Sequence, residues 1–145
     1  MKDDVAPKAE PYRLDDHVGF VLRQVSQRHA LIFQAEAPEG LTPTQFSTLI
    51  RLHENGPCSQ NELGRAAAMD VATIKGVVDR LRGKGLVGLT PYPGDRRRTL
   101  ITLTSRAKRL MGELHAAGAR ITEATLDRLS DDERRMLLGL LRRLM

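Results

Sequence analysis

Aromatic side chains are nearly absent from this chain of 145 residues, which has no Trp, two Tyr and three Phe. Core volume must therefore come from Leu, Val, Ile and Met, which suits helix packing better than a β-sandwich. Cysteine is as scarce. A single Cys58 excludes an internal disulfide and a multi-cysteine zinc site, and fits a reducing cytoplasm. No run approaches the ~18 apolar residues that span a bilayer, so no membrane is expected as a partner. Residues 1–11 are polar and contain Pro7 and Pro11, without the apolar stretch of a secretion signal, so a cytoplasmic protein is expected. His17, His29, His53 and His115 stand singly, without metal-ligand spacing. With no nucleophile–base arrangement and no Gly-rich phosphate loop either, the sequence argues against an enzyme and predicts no cofactor and no metal.

What charge there is lies unevenly. Charged residues make up 28% of the chain, interspersed with apolar ones, as in a folded protein. The formal net charge is +5. Residues 1–74 carry seven Lys or Arg against ten Asp or Glu, and residues 99–145 carry nine against six. Between them, Lys75, Arg80, Arg82, Lys84, Arg96, Arg97 and Arg98 face only Asp79 and Asp95. So concentrated a field attracts polyanions and releases counterions when it meets phosphates. On charge alone, a solvated face reads equally well.

Residues 1–10 read as a disordered arm and residues 11–145 as one domain, long enough to bury a core unaided. Leu14, Val18, Val21, Val25 and Ile32 recur at helical spacing until Pro38-Glu39-Gly40. In Thr42-Pro43-Thr44-Gln45, Thr42 can cap a helix, Pro43 suits its first position and Gln45 can reach back to complete a capping box. Leu49, Ile50 and Leu52 supply that helix's inner face, and Asn55-Gly56-Pro57 stops it. Ser59-Gln60-Asn61-Glu62 is a second capping box, opening a short helix to Ala68. Asp70 can cap a third, with Ile74, Val77, Val78 and Leu81 inside and Gly85 as its stop. Two helices joined by so few residues predict a helix-turn-helix.

Period-two patterns follow in Leu86, Val87 and Leu89, then in residues 99–103, on either side of Tyr92-Pro93-Gly94-Asp95, a strong turn signal. A hairpin directly after the second helix is a wing, here residues 86–103 of a winged helix-turn-helix over residues 41–103. From residue 104 the helical period returns through Ala107, Leu110, Leu114, Ala117, Ile121 and Ala124, enough for a helix of ~35 Å. Ser130-Asp131-Asp132-Glu133 opens a last helix with Met136, Leu137, Leu140, Leu141 and Leu144. The expected fold is mainly α with a small β-hairpin wing. Apolar seams on residues 11–37 and 104–145 need a partner, and a second copy of the chain is the economical one. These segments read as a helical dimerisation stem.

Duplex DNA admits one α-helix into its major groove, with the helix's N-terminal residues facing base edges. In residues 70–84, Thr73 can hydrogen-bond to bases or backbone and Lys75 can reach a guanine or a phosphate. Val71 and Ala72 can pack on thymine methyls. Gly76 permits close approach of the groove, or is a plain defect in helix propensity. An amphipathic surface helix is the alternative for the whole segment. Asp95-Arg96-Arg97-Arg98 brings arginines to a tip narrow enough for the minor groove, whose negative potential favours Arg. An acid two residues from an Arg can hold the guanidinium in one orientation. A solvated basic turn is the alternative, but the helix-turn-helix and the basic wing rarely occur together by chance. The DNA-binding candidates are Ser59, Gln60, Asp70, Ala72, Thr73, Lys75, Gly76, Arg80, Arg96, Arg97 and Arg98, with Asp95 orienting the wing.

Val77-Val78-Asp79-Arg80-Leu81, Lys84-Gly85-Leu86-Val87, Pro93-Gly94-Asp95-Arg96-Arg97 and Leu103-Thr104 resemble the MarR family of bacterial transcriptional regulators, over roughly residues 14–145. The resemblance implies an obligate homodimer with intertwined terminal helices and two winged domains on a palindromic operator, on the nucleoid in the bacterial cytoplasm. It implies that Asp95 orients Arg97 into the minor groove. It also implies repression relieved by a small ligand, commonly a phenol or aromatic acid, bound between stem and winged domain. Gly76 departs from the pattern, since the family often carries a longer polar side chain there.

For an anionic effector, His17, His29 and Arg51 are the polar groups on elements expected to border that cleft, although the plainer reading of each is a surface or structural residue. Peroxide-sensing members carry a Cys near the start of the first helix, where this chain has none. Two other readings stand beside ligand-relieved repression. One is an oxidant-responsive repressor acting through Cys58. The other is a winged-helix protein-interaction module, which leaves Arg96, Arg97 and Arg98 without a task.

Overall fold

A computed structural model of the chain describes residues 10–145. The arm expected over residues 1–10 thus lies, Glu10 aside, outside the described residues. A 3-10 turn over Leu14–Asp16 leads into α1 (Val18–Glu36), and a second over Pro38–Gly40 into α2 (Pro43–Asn55). Then come α3 (Gln60–Ala66), α4 (Val71–Gly83), β1 (Val87–Tyr92), β2 (Asp95–Leu103), α5 (Ser105–Thr125) and α6 (Asp131–Arg142).

Local chemistry sets most of these boundaries. Thr42 and Gln45 form the expected capping box on α2, and Ser130 and Glu133 form one on α6. The box on α3 closes only halfway. Ser59 accepts the Glu62 N–H, but the Glu62 carboxylate takes the Ser59 hydroxyl rather than its backbone N–H. The first helix also starts later than its apolar spacing suggests. His17 is extended and its ring accepts the Phe20 N–H at 3.2 Å, so the helix begins at Val18 and leaves Leu14 in a separate turn.

The helix-turn-helix is tight because Gly64 lets it be. A Cβ on Gly64 would stand 3.1 Å from both the Ile74 side chain and the Met69 carbonyl, so a side chain there would have to push α4 and the turn back by a few tenths of an ångström. Leu49, Leu63, Ile74, Leu81, Leu86, Ile101 and Leu114 are fully buried between α2, α3, α4, the sheet and α5. Burial of each such side chain contributes about 1.5–3 kcal/mol. The sheet is an antiparallel pair, with Val87 opposite Leu103 and Leu89 opposite Ile101. Cys58 adds a one-residue third edge, exchanging both backbone hydrogen bonds with Ile101.

Above this core α1 packs on α5. Arg28 of α1 donates to the carbonyls of Thr125 (2.7 Å) and Ala124 (2.9 Å) and to Asp127, closing the free carbonyls at the α5 C-terminus. Arg134 of α6 grips Glu123 of α5 with both terminal nitrogens. Yet Phe33 is the one residue of α1 that is buried, and α6 has none.

Candidate nucleic-acid interface and effector cleft

Helix α4 divides cleanly. Ile74, Val77, Val78 and Leu81 face the core, while Val71, Ala72, Thr73, Lys75, Asp79 and Arg80 are exposed. Asp70 accepts the Thr73 N–H at 2.7 Å, and this bond holds its carboxyl below the usual range. Asp70 and Ser59 therefore serve as helix caps. Lys75 lies 3.0 Å from Asp79 in an exposed pair one turn apart. Such pairs hold weakly in water, so Lys75 can exchange Asp79 for a phosphate or a base. A Cβ on Gly76 would meet only the Arg80 guanidinium, at 3.7 Å, so nothing within the chain requires glycine there.

The three arginines stand on β2 rather than in the turn. Pro91 pairs with Thr99 but the next residue, Tyr92, pairs with Asp95. Arg96, Arg97 and Arg98 are thus an excess of one strand over the other, without cross-strand partners. Asp95 accepts the Arg97 backbone N–H at 3.0 Å, and its carboxylate lies 3.9 Å from Arg97 Nε. The Arg97 side chain is 97% exposed. Arg98 instead lies over the Tyr92 ring, 5.1 Å from its centroid, a cation–π contact that sequence reading did not find.

Between α1, α2 and α5 lies a cleft of about 430 Å³ whose lining includes His29, Phe33, Phe46, Ser47, His115 and Thr122. The rings of Phe33 and Phe46 meet edge to face at 5.5 Å. A Cβ on Gly118 would stand 3.2 Å from Phe46, so that glycine gives the ring its room. His29 Nδ1 is 2.9 Å from Thr125 Oγ1.

Of the three effector candidates read from sequence, only His29 lines this cleft. His17 is the cap of α1, in edge contact with Tyr12. Arg51 pairs with Glu54 at 2.7 Å and borders a neighbouring depression. The lining residues missed include Phe33, Phe46, Ser47, His115 and Thr122. His115, Gly118 and Thr122 do share one face of α5 by their spacing, but nothing in sequence shows what that face meets.

Cys58 is buried, and burial first, then the Glu62 carboxylate, pushes its thiol up. That disfavours the thiolate on which peroxide chemistry depends. Among the described residues no three His, Cys, Asp or Glu are grouped to hold a metal, and no helix is long and apolar enough to cross a membrane.

A helix-turn-helix with an exposed second helix, followed by an arginine-bearing hairpin, defines a winged-helix DNA-binding transcriptional regulator. The chain belongs to the MarR family, whose model matches residues 41–99. It is 42% identical to the HTH-type transcriptional repressor NicR of Pseudomonas putida, over 92% of this chain and 85% of that one. A probable transcriptional regulator from Pseudomonas aeruginosa superimposes with a TM-score of 0.87 at 49% identity, over 92% of this chain and all of that one. BpsR of Bordetella bronchiseptica, whose DNA binding is regulated by 6-hydroxynicotinic acid, does so with a TM-score of 0.85 at 38% identity, over 92% and 96%. The chain is a DNA-binding repressor of MarR type and not an enzyme.

Proposed function

We propose that the chain represses transcription as a homodimer on a two-fold symmetric operator and is released by a small hydroxylated aromatic acid. The cleft carries this reading. Two phenyl rings set edge to face give it an apolar wall, and His29, Ser47, His115 and Thr122 border it with groups able to hold a carboxylate and a ring hydroxyl. BpsR, regulated by an acid of that class, lends chemical support.

Residues 11–37 and 104–145 form the dimer stem in this reading, and residues 41–103 the DNA-reading unit. Thr73 and Lys75 reach base edges in the major groove, with Ala72 and Gly76 against the bases. Asp95 steers Arg97 into the minor groove, while Gln60, Arg80, Arg96 and Arg98 hold phosphates. The two recognition helices then sit about one helical turn of DNA apart. The effector acts by preferring a dimer geometry in which that spacing fails, because a ligand with equal affinity for both geometries shifts nothing.

Selection of full-length protein against a random duplex pool tests the first half. A palindrome bound as a dimer, with affinity falling steeply as salt rises, is expected. Titrating 6-hydroxynicotinate into that complex tests the second. Release by the acid that His29→Ala together with His115→Ala abolishes is expected. Release that survives both substitutions places the effector elsewhere.

A further inference from the structure

The exit of the recognition helix is fastened with unusual completeness. Three successive carbonyls after α4 each receive a donor from the entrance of α5. Arg106 Nη1 donates to the Lys84 carbonyl (2.6 Å), Thr104 Oγ1 to Gly85 (2.8 Å) and the Thr104 N–H to Leu86 (3.1 Å). Arg106 then reaches a third segment. Its Nη2 lies 2.5 Å from the Glu39 carboxylate, while Lys84 Nζ donates to the Glu39 carbonyl at 3.1 Å.

Glu39 sits in the turn between α1 and α2, with a φ of 59°. That left-handed conformation is costly for a residue with a side chain and persists only where its surroundings over-determine it. A glycine would adopt it freely, and Gly40 beside it, at 62°, does. Glutamate at this place is explained by its carboxylate, which holds one cation, while its backbone oxygen, which any residue would offer, holds another. Both cations are bound to Lys84, one being its own ammonium.

We infer that Arg106, anchored on Glu39, is a positioning residue for operator reading: it fixes the direction in which α4 leaves the body of the protein. Neither residue needs to touch DNA. Two elements are locked to the residues that directly follow the last turn of α4, so the exposed N-terminal half of that helix is aimed from its far end. The connector that carries Glu39 also joins Phe33 to Pro43, which line the effector cleft from α1 and α2.

The test compares Arg106→Gln and Glu39→Gly in the full-length protein, by affinity for the selected operator, affinity for unrelated duplex, salt dependence and melting temperature. Operator affinity should fall about tenfold in each, the size of effect that residues off the interface exert. Binding to unrelated duplex and the salt slope should hold. Glu39→Gly should melt no lower than the parent, because it removes backbone strain with the carboxylate. The double variant should lose no more operator affinity than the worse single variant, because both break one unit.

A salt slope reduced by about one in Arg106→Gln would make Arg106 a phosphate contact and overturn the inference. Unchanged operator affinity in Glu39→Gly, or losses that add in the double variant, would overturn it too.

Discussion

Helix α4 buries Ile74, Val77, Val78 and Leu81, whereas α6 leaves Met136 65% exposed, with Leu140 and Leu141 also in the open and Leu144, just past its end, 75% exposed. Both helices space their apolar residues by threes and fours, and both open on a side-chain cap. α1 resembles α6, since Val18, Val21 and Val25 are exposed. The winged domain is therefore finished within one chain, while the terminal helices carry a surface that one chain does not cover. Helical periodicity says which residues share a face. It does not say whether that face meets its own chain or another.

The comparison can be broken from either side. The largest effect is expected in the finished half. Leu63→Ala, at a site with no exposure, should cost about 2–5 kcal/mol in chemical denaturation, at low and high protein concentration alike. The unfinished half should behave otherwise. Leu140→Glu with Leu144→Glu should weaken self-association about thirtyfold or more by sedimentation. It should also abolish the rise of melting temperature with concentration that a dimer shows. If the parent melts at one temperature at every concentration, the terminal surface has some other use.

Arg97→Ala sharpens the contrast, because the residue belongs to neither half's packing. Operator affinity should drop about tenfold in a binding assay, with melting and self-association unchanged.

The smallest effect is at low pH. The Thr73 N–H holds Asp70 low, the Ser130 N–H holds Glu133 low and the Arg134 guanidinium holds Glu123 low. Carboxyls depressed by folding contribute stability above their unfolded pKa and lose it as pH falls through the folded value. Urea midpoints should therefore decline slightly below the ordinary carboxylate range. Asp70→Asn, which keeps a cap but cannot titrate, should make that decline shallower.

The order of elements was legible in the sequence because most of it is written in neighbours. Thr42 with Gln45, Ser130 with Glu133, and Asp70 before its apolar run are signals spanning four residues or fewer. His17 hid the true start of α1 because an imidazole cap leaves no composition cue. The hairpin and its turn were visible, but its strands run longer than the sequence suggested, up to Tyr92 and from Asp95, since Arg96, Arg97 and Arg98 interrupt pairing without ending it. The cleft was the least legible part. It draws on α1, α2 and α5, and Phe33 and Phe46 meet across a fold that neither local sequence implies. Likewise Glu39 and Arg106 are 67 positions apart, and only the assembled structure brings them together.

The three unpaired residues of β2 have a consequence for how such a chain changes over generations. Since no residue of β1 pairs with their backbones, and only Arg98 touches that strand, through the Tyr92 ring, substitutions at positions 96 and 97 leave the register of Val87 with Leu103 and of Leu89 with Ile101 as it is. The hairpin thus works as a holder with an interchangeable tip. Lineages can exchange one arrangement of charges for another there, and so drift toward different promoters, without first having to repair a damaged sheet.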